Sequence, residues 1–131
     1  MGAWGPGSFE NDDAMDWVVA LAEGSGDSVL REAFARIPFT DDGYLEAPDC
    51  AIAIAAAEAV AAARGRPNRS LPEEVTGWVQ KKPAVSTDLL GLARVAVDRI
   101  ASKSELKDLW DESESADEWR TGMNDLRRRL D

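Results

Sequence analysis

Residues 50–63, with the sequence CAIAIAAAEAVAAA, decide the fold of this chain. Glu58 is the only charged residue among them, and all the others are alanine, isoleucine, valine or cysteine. A helix that is apolar on every side is typical of the centre of a domain rather than its surface. The many alanines also allow neighbouring helices to approach closely. The stretch therefore predicts one buried central helix, which begins near Pro48 and Asp49.

The sequence on either side of this helix predicts further helices. Apolar residues recur every three or four positions in each segment, as Trp17 and Leu21 do in the first. The predicted N-caps are Asn11 or Asp12 and Ser104, and a further helix is predicted from about Ser86 to Ala101. The predicted capping boxes run from Ser70 to Glu73 and from Ser115 to Glu118. No alternating pattern predicts a strand of useful length. The expected fold is an all-α, single-domain bundle of about six to seven helices around the alanine-rich helix.

The first nine residues break the helical pattern, because they contain three glycines and a proline. Trp4 and Phe9 are large apolar side chains that are unfavourable to leave in water. Residues 1–9 are therefore expected to form an ordered, non-helical N-terminal arm that packs on the core. The whole chain, 1–131, is expected to be a single helical domain.

Charge and composition narrow the function classes. The chain has 25 acidic and 15 basic residues, for a formal net charge of -10. This charge repels nucleic acid and suits a protein partner with a basic surface, or it serves only to keep the protein soluble. The chain has no histidine, which removes histidine acid–base catalysis, Ser-His-Asp and Cys-His sites and imidazole metal ligands. We predict no catalytic residue, no bound metal and no cofactor.

The cellular compartment is predicted from cysteine usage and hydropathy. A single cysteine, Cys50, excludes an internal disulfide framework and indicates a reducing compartment. No signal peptide is recognisable, and the longest apolar run, residues 50–57, is too short to cross a bilayer. We therefore expect a cytoplasmic protein without membrane attachment. The oligomeric state is left open.

Three acidic residues, Glu10, Asp13 and Asp16, are spaced three apart at the start of the first helix. Together with Glu58 they suggest an oxygen-only site of the Mg²⁺ type. The competing interpretation is that acids at a helix N-terminus stabilise the helix dipole and supply caps. We favour the competing interpretation.

Glu58 needs a partner, because an unpaired buried charge is very unfavourable. The expected donors are backbone N–H groups of the arm, the Trp4 indole or an arginine such as Arg94, which is also expected to pair with Asp98 on the outer side of its helix. A structural hydrogen bond or ion pair is favoured over a role as ligand or catalytic base. In that hypothesis Trp4, Phe9 and Glu58 form one structural unit.

Five tryptophans are a high number for this length. Trp17 and Trp119 lie on apolar stripes and are expected in the core. Any of Trp4, Trp78 and Trp110 is instead a candidate for an exposed anchor at a partner surface. Cys50 is expected to be a small buried residue rather than a reactive thiol.

Three stretches carry a family resemblance. They are residues 1–17 (MGAWGPGSFENDDAMDW), the alanine helix around residues 55–58 with the following Leu71-Pro72, and residues 104–110 (SELKDLW) before Trp119. In these stretches the chain resembles a bacterial family of small proteins, domain-of-unknown-function family 4259. The resemblance implies a stand-alone small domain of bacterial origin and implies no particular activity.

Three functions remain as hypotheses. The leading one is a non-catalytic binding or regulatory module that engages a protein partner with a basic surface. The alternatives are a small enzyme that depends on a carboxylate-bound Mg²⁺ or Mn²⁺, and a small-ligand carrier with a groove lined by tryptophan. The candidate binding residues are Trp4, Phe9, Glu10, Asp13, Asp16 and Glu58.

Overall fold

The computed structural model describes residues 5–24, 26–38 and 43–131. Within these residues the chain forms seven α-helices and no strand. They are α1 (Asp12–Glu23), α2 (Gly26–Ala35), α3 (Ala47–Ala63), α4 (Glu73–Gln80), α5 (Thr87–Ser102), α6 (Glu105–Asp111) and α7 (Ala116–Arg129). The predicted all-α class is confirmed. No helix in the described part of the chain is both long enough and apolar enough to span a membrane.

Helix α3 lies at the centre of the bundle, as its composition predicts. It contacts all six of the other helices. Its residues from Ala53 to Ala62 are all buried, including Glu58. Because most of its side chains are a single methyl group, the surrounding helices reach it from every direction.

Serine and asparagine side chains cap three helices. Asn11 and Ser104 are predicted caps, and Ser86 lies where the sequence predicts a helix to begin. Asn11 Oδ1 accepts the Ala14 N–H at 2.8 Å, Ser86 Oγ accepts the Leu89 N–H at 3.2 Å, and Ser104 Oγ accepts the Lys107 N–H at 3.0 Å. Each bond satisfies an N–H group that has no partner within the helix. Ser104 is also fully buried, and its hydroxyl donates to the Ile100 carbonyl at 2.8 Å.

The two predicted capping boxes are wrong. Helix α4 begins at Glu73 with Pro72 at its N-cap. A box starting at Ser70 would need Leu71 to be helical, and a residue that precedes proline disfavours that conformation. Ser115 is the N-cap residue of α7, but its side chain makes no capping hydrogen bond.

Most of the tryptophans are in the core. Trp17 and Trp119 are buried as predicted. Trp78 is buried too, with an exposed fraction of 7%, so its prediction as a candidate exposed anchor is wrong. It packs where Gly26 has no side chain: a Cβ there would lie 2.5 Å from Trp78 Nε1. Trp4 lies outside the described residues.

The described part of the N-terminal arm, residues 5–9, leads into α1. Phe9 is buried in the core. The Gly7 N–H donates to Glu10 Oε1 at 2.9 Å. The same carboxylate fills the space beside Gly5 and Gly7 that a Cβ would occupy, so these two glycines allow the arm to fold over Glu10.

Candidate functional site

Glu58 is fully buried, and both of its carboxylate oxygens accept hydrogen bonds. The Ser8 hydroxyl donates to Oε2 at 2.7 Å, and the Asn68 amide donates to the same oxygen at 2.9 Å. The Arg129 guanidinium donates to Oε1 at 2.7 Å and to Oε2 at 3.1 Å. This bidentate contact is a strong hydrogen-bonding geometry between an arginine and a carboxylate. The buried charge is therefore compensated by the protein itself.

An arginine pairs with Glu58, but not the one that was predicted. Arg94 Nε donates to the Leu130 carbonyl at 2.7 Å, and Asp98 pairs with Arg127 at 2.8 Å, so both predictions for Arg94 are wrong. The sequence does contain a signal for Arg129. It follows Leu126 by three positions, which places it on the inner side of α7.

Arg129 also connects Glu58 to the surface. Its Nε donates to Asp125 Oδ2 at 2.7 Å, and Arg128 Nη2 donates to Asp125 Oδ1 at the same distance. The hydrogen bond from Arg128 and then that from Arg129 hold the pKa of Asp125 below its usual value. Ser8 and Asn68, which contact Glu58 directly, line a groove together with Asp125.

This groove lies between the N-terminal arm, α3, α6 and α7 and has a volume of about 480 Å³. Apolar side chains from three helices form much of its wall: Ala51, Ile54, Leu106, Leu109, Trp110, Trp119 and Met123. Leu109 is one of the exposed large apolar residues of the described chain, and Trp110 is partly exposed. The groove thus presents apolar surface to a ligand.

Acidic side chains accompany this apolar surface. The acids that line the groove are Glu10, Asp13, Glu105, Glu118 and Asp125, and none of its described lining residues is a lysine or an arginine. Three of these acids already have partners: Glu10 accepts the Gly7 N–H, Glu105 accepts the Ala47 N–H at 2.7 Å, and Asp125 accepts from two arginines. The groove therefore carries a negative charge that its own walls neutralise only in part.

The structure separates the acids of the metal-site hypothesis. Glu10 and Asp13 line the groove, whereas Asp16 is exposed and lies outside it. Glu10 precedes α1, so the helical spacing assumed for it does not apply. Glu58 is engaged with Arg129 behind the groove wall. Among the described residues no group of three or more Asp, Glu, Cys or His side chains could hold a metal ion.

Cys50 is buried at the start of α3. Burial raises the pKa of its thiol to about 12, and hydrogen bonds from neighbouring groups oppose the shift only in part. A thiol with this pKa is protonated at neutral pH and is a poor nucleophile. The cysteine therefore behaves as a small apolar residue of the core.

The family profile described as Domain of unknown function (DUF4259) matches residues 2–122. The chain belongs to this family. The matched stretch of the DUF4259 domain includes the arm, α3, α6 and the first half of α7, and therefore most of the groove. No curated protein and no solved structure is significantly similar to the chain.

Proposed function

We propose that this DUF4259 domain is a non-catalytic binding module, and that a protein partner with a basic surface docks in the acidic groove. One observation carries the proposal: the groove combines apolar walls with five carboxylates, and its described lining residues include no basic side chain. Apolar contact supplies affinity at protein interfaces, while charge complementarity selects the partner and speeds association. The net charge of -10 acts in the same direction.

The surroundings of Glu58 argue against a role for this residue as a general base. A general base needs a free lone pair within reach of its substrate. The oxygens of Glu58 instead accept hydrogen bonds from Ser8, Asn68 and Arg129. The hypothesis of a carboxylate-metal enzyme has no supporting observation among the described residues. A rise in the melting temperature of the protein on adding Mg²⁺ or Mn²⁺ would support that hypothesis.

The compartment is part of the proposal. A buried, protonated cysteine with no partner for a disulfide suits a reducing environment such as the bacterial cytoplasm. The partner is therefore expected among cytoplasmic proteins.

The test uses two matched glycines that lie within helices. A Cβ added to Gly122 or to Gly91 meets nothing within 4 Å, but only Gly122 lines the groove. Immobilised wild-type protein and the Gly91→Phe variant are expected to retain the same basic protein from a lysate of the source cells at low salt. Gly122→Phe is expected to lose it, because the ring fills the groove. Retention by Gly122→Phe, or no specific partner on any column, contradicts the proposal.

A small cationic amphipathic ligand is a second candidate. The groove volume lies within the range of small-molecule sites, roughly 300 to 1,000 Å³, and two tryptophans, Trp110 and Trp119, line it. Native mass spectrometry of the protein purified from its source distinguishes the two candidates. A bound small molecule that is absent from Gly122→Phe favours the carrier.

A further inference from the structure

We infer that the partner inserts a segment in which one large apolar side chain is flanked by two cationic side chains, and that the cations pair with Asp13 and Glu118. This inference rests on the proposed function and deepens it. It identifies which of the groove acids receive the partner's charges and which do not.

The five carboxylates of the groove are not equivalent. Asp125 is held between Arg128 and Arg129, so a cation from a partner would have to displace a guanidinium. Glu10 and Glu105 each accept a backbone N–H that fixes the local chain, at Gly7 and at Ala47. These three acids therefore serve chiefly to shape the groove.

Asp13 and Glu118 differ from the other acids. Neither makes an ion pair or side-chain hydrogen bond with another described residue. Asp13 lies in the first turn of α1 and Glu118 in the first turn of α7, so they stand on two separate walls of the same groove. A ligand that spans the groove can contact both, and their free carboxylates favour a cation at each contact.

The apolar lining of the groove favours an apolar group. Leu109 is 38% exposed and Trp110 is partly exposed, and both line the groove. Covering such surface stabilises a complex in proportion to the apolar area removed from water. A polyamine would satisfy the acids but would leave most of this surface uncovered. A peptide segment with a leucine-sized side chain satisfies both.

The test titrates the ¹⁵N-labelled full chain with four probes and follows the indole N–H signals of Trp110 and Trp119. The probes are the N-acetylated, C-amidated peptides Lys-Ala-Leu-Ala-Lys, Ser-Ala-Leu-Ala-Ser and Lys-Ala-Ala-Ala-Lys, and spermidine. Only the first combines both features and is expected to bind tightest. Loss of the leucine is expected to weaken binding by about tenfold, since burying such a side chain contributes about 1.5 kcal/mol or more.

Two double variants that remove the same number of charges test the contribution of Asp13 and Glu118 to binding. Asp13→Asn with Glu118→Gln removes the proposed pairs, while Glu73→Gln with Asp88→Asn removes two first-turn acids of α4 and α5 that lie outside the groove. The first variant is expected to bind Lys-Ala-Leu-Ala-Lys about five- to tenfold more weakly than the second, the sum of two exposed ion pairs. Equal binding by both variants would overturn the inference.

The remaining outcomes are also decisive. Spermidine binding as tightly as the leucine peptide, or no indole shift with any probe, overturns the inference. The proposed function fails separately, through retention of the protein partner by Gly122→Phe. If Gly122→Phe loses that partner while the Asp13 and Glu118 variant retains it at full strength, the proposed function stands and the inference does not.

Discussion

At the residue scale, Glu58 shows why a charge survives inside an alanine helix. Arg129 neutralises the Glu58 carboxylate through a bidentate contact, and Ser8 and Asn68 donate further hydrogen bonds to it. The Arg129 side chain is itself only 11% exposed. Buried pairs of this kind add little net stability compared with apolar residues of the same size, but losing one partner is severe.

The two halves of this pair are expected to be strongly coupled. Glu58→Gln removes the buried counter-charge of the Arg129 guanidinium and leaves it only Asp125, and a fall of about 3 kcal/mol in the free energy of unfolding is expected. Arg129→Met is expected to have a similar effect, and the double variant to lose much less than the sum. Urea denaturation measures all three.

An exposed ion pair provides the control for this cycle. Asp98→Asn removes the contact with Arg127, in which both side chains are about half exposed, and is expected to cost less than about 1 kcal/mol. A Glu58→Gln variant as stable as Asp98→Asn would contradict the structural role of Glu58.

Tyr44 offers a test of one surface contact. Its hydroxyl donates to Asp108 Oδ2 at 2.5 Å, and this hydrogen bond is the main reason why the pKa of Tyr44 rises from 10.0 to about 12. Because the folded-state pKa is the higher one, the contact stabilises the fold below pH 10 and is lost as pH rises through about 12.

Asp108→Asn is therefore expected to return the pKa of Tyr44 towards 10.0. Tyr44 is the only tyrosine in the chain, so tyrosinate absorbance reports it alone. Circular dichroism at each pH checks that the protein remains folded. Identical titrations of the wild type and the variant would show that the contact is absent in solution.

At the scale of helices, glycines have opposite roles according to their neighbours. Gly26 starts α2 against Trp78, where a Cβ would lie 2.5 Å from the indole nitrogen. Gly91 lies inside α5, where a Cβ meets nothing within 4 Å. The first glycine is required by packing, whereas the second only lowers helix propensity.

The same substitution should thus change stability in opposite directions. Gly26→Ala is expected to lower the free energy of unfolding by about 1–3 kcal/mol through overpacking. Gly91→Ala is expected to raise it by about 0.5–1 kcal/mol, because alanine loses less backbone entropy in a helix. Thermal and urea unfolding of the two variants measure the difference. Stabilisation by both would mean that Trp78 moves aside freely.

At the scale of the whole molecule, the arm, α3 and α7 are connected through one buried carboxylate. Ser8 belongs to the arm, Glu58 to α3 and Arg129 to α7. Deleting residues 1–9 removes Ser8 and the buried Phe9 together. The deletion also removes part of the groove wall.

This deletion is expected to lower the melting temperature by more than 10 °C. The estimate combines a lost core phenylalanine, about 3 kcal/mol, with a shift of about 4 °C per kcal/mol for a domain of this size. Ser8→Ala alone is the milder comparison, at about 1.5 kcal/mol for one lost hydrogen bond to a charged group, because Glu58 Oε2 keeps the hydrogen bonds from Asn68 and Arg129. A deletion variant that melts like the parent would show that the arm does not stabilise the core.

The helices, the buried position of α3 and the caps at Asn11 and Ser104 follow from the sequence, because they depend on local periodicity and short-range hydrogen bonds. The need of Glu58 for a partner also follows, since burial of a charge requires one wherever the partner comes from. The family resemblance is likewise contained in the order of residues and is confirmed.

Only the tertiary structure decided which residues meet. Arg129 lies 71 positions from Glu58, and Glu118 and Asp13 come together with Glu105 only because α6 and α7 pack beside the arm and α3. Spacing along a helix predicts neighbours within one turn, which is why Arg94 was matched with Asp98, and Asp13 with Glu10 and Asp16. Contacts between distant segments depend on how whole helices pack. That packing places acids from separate segments around one groove.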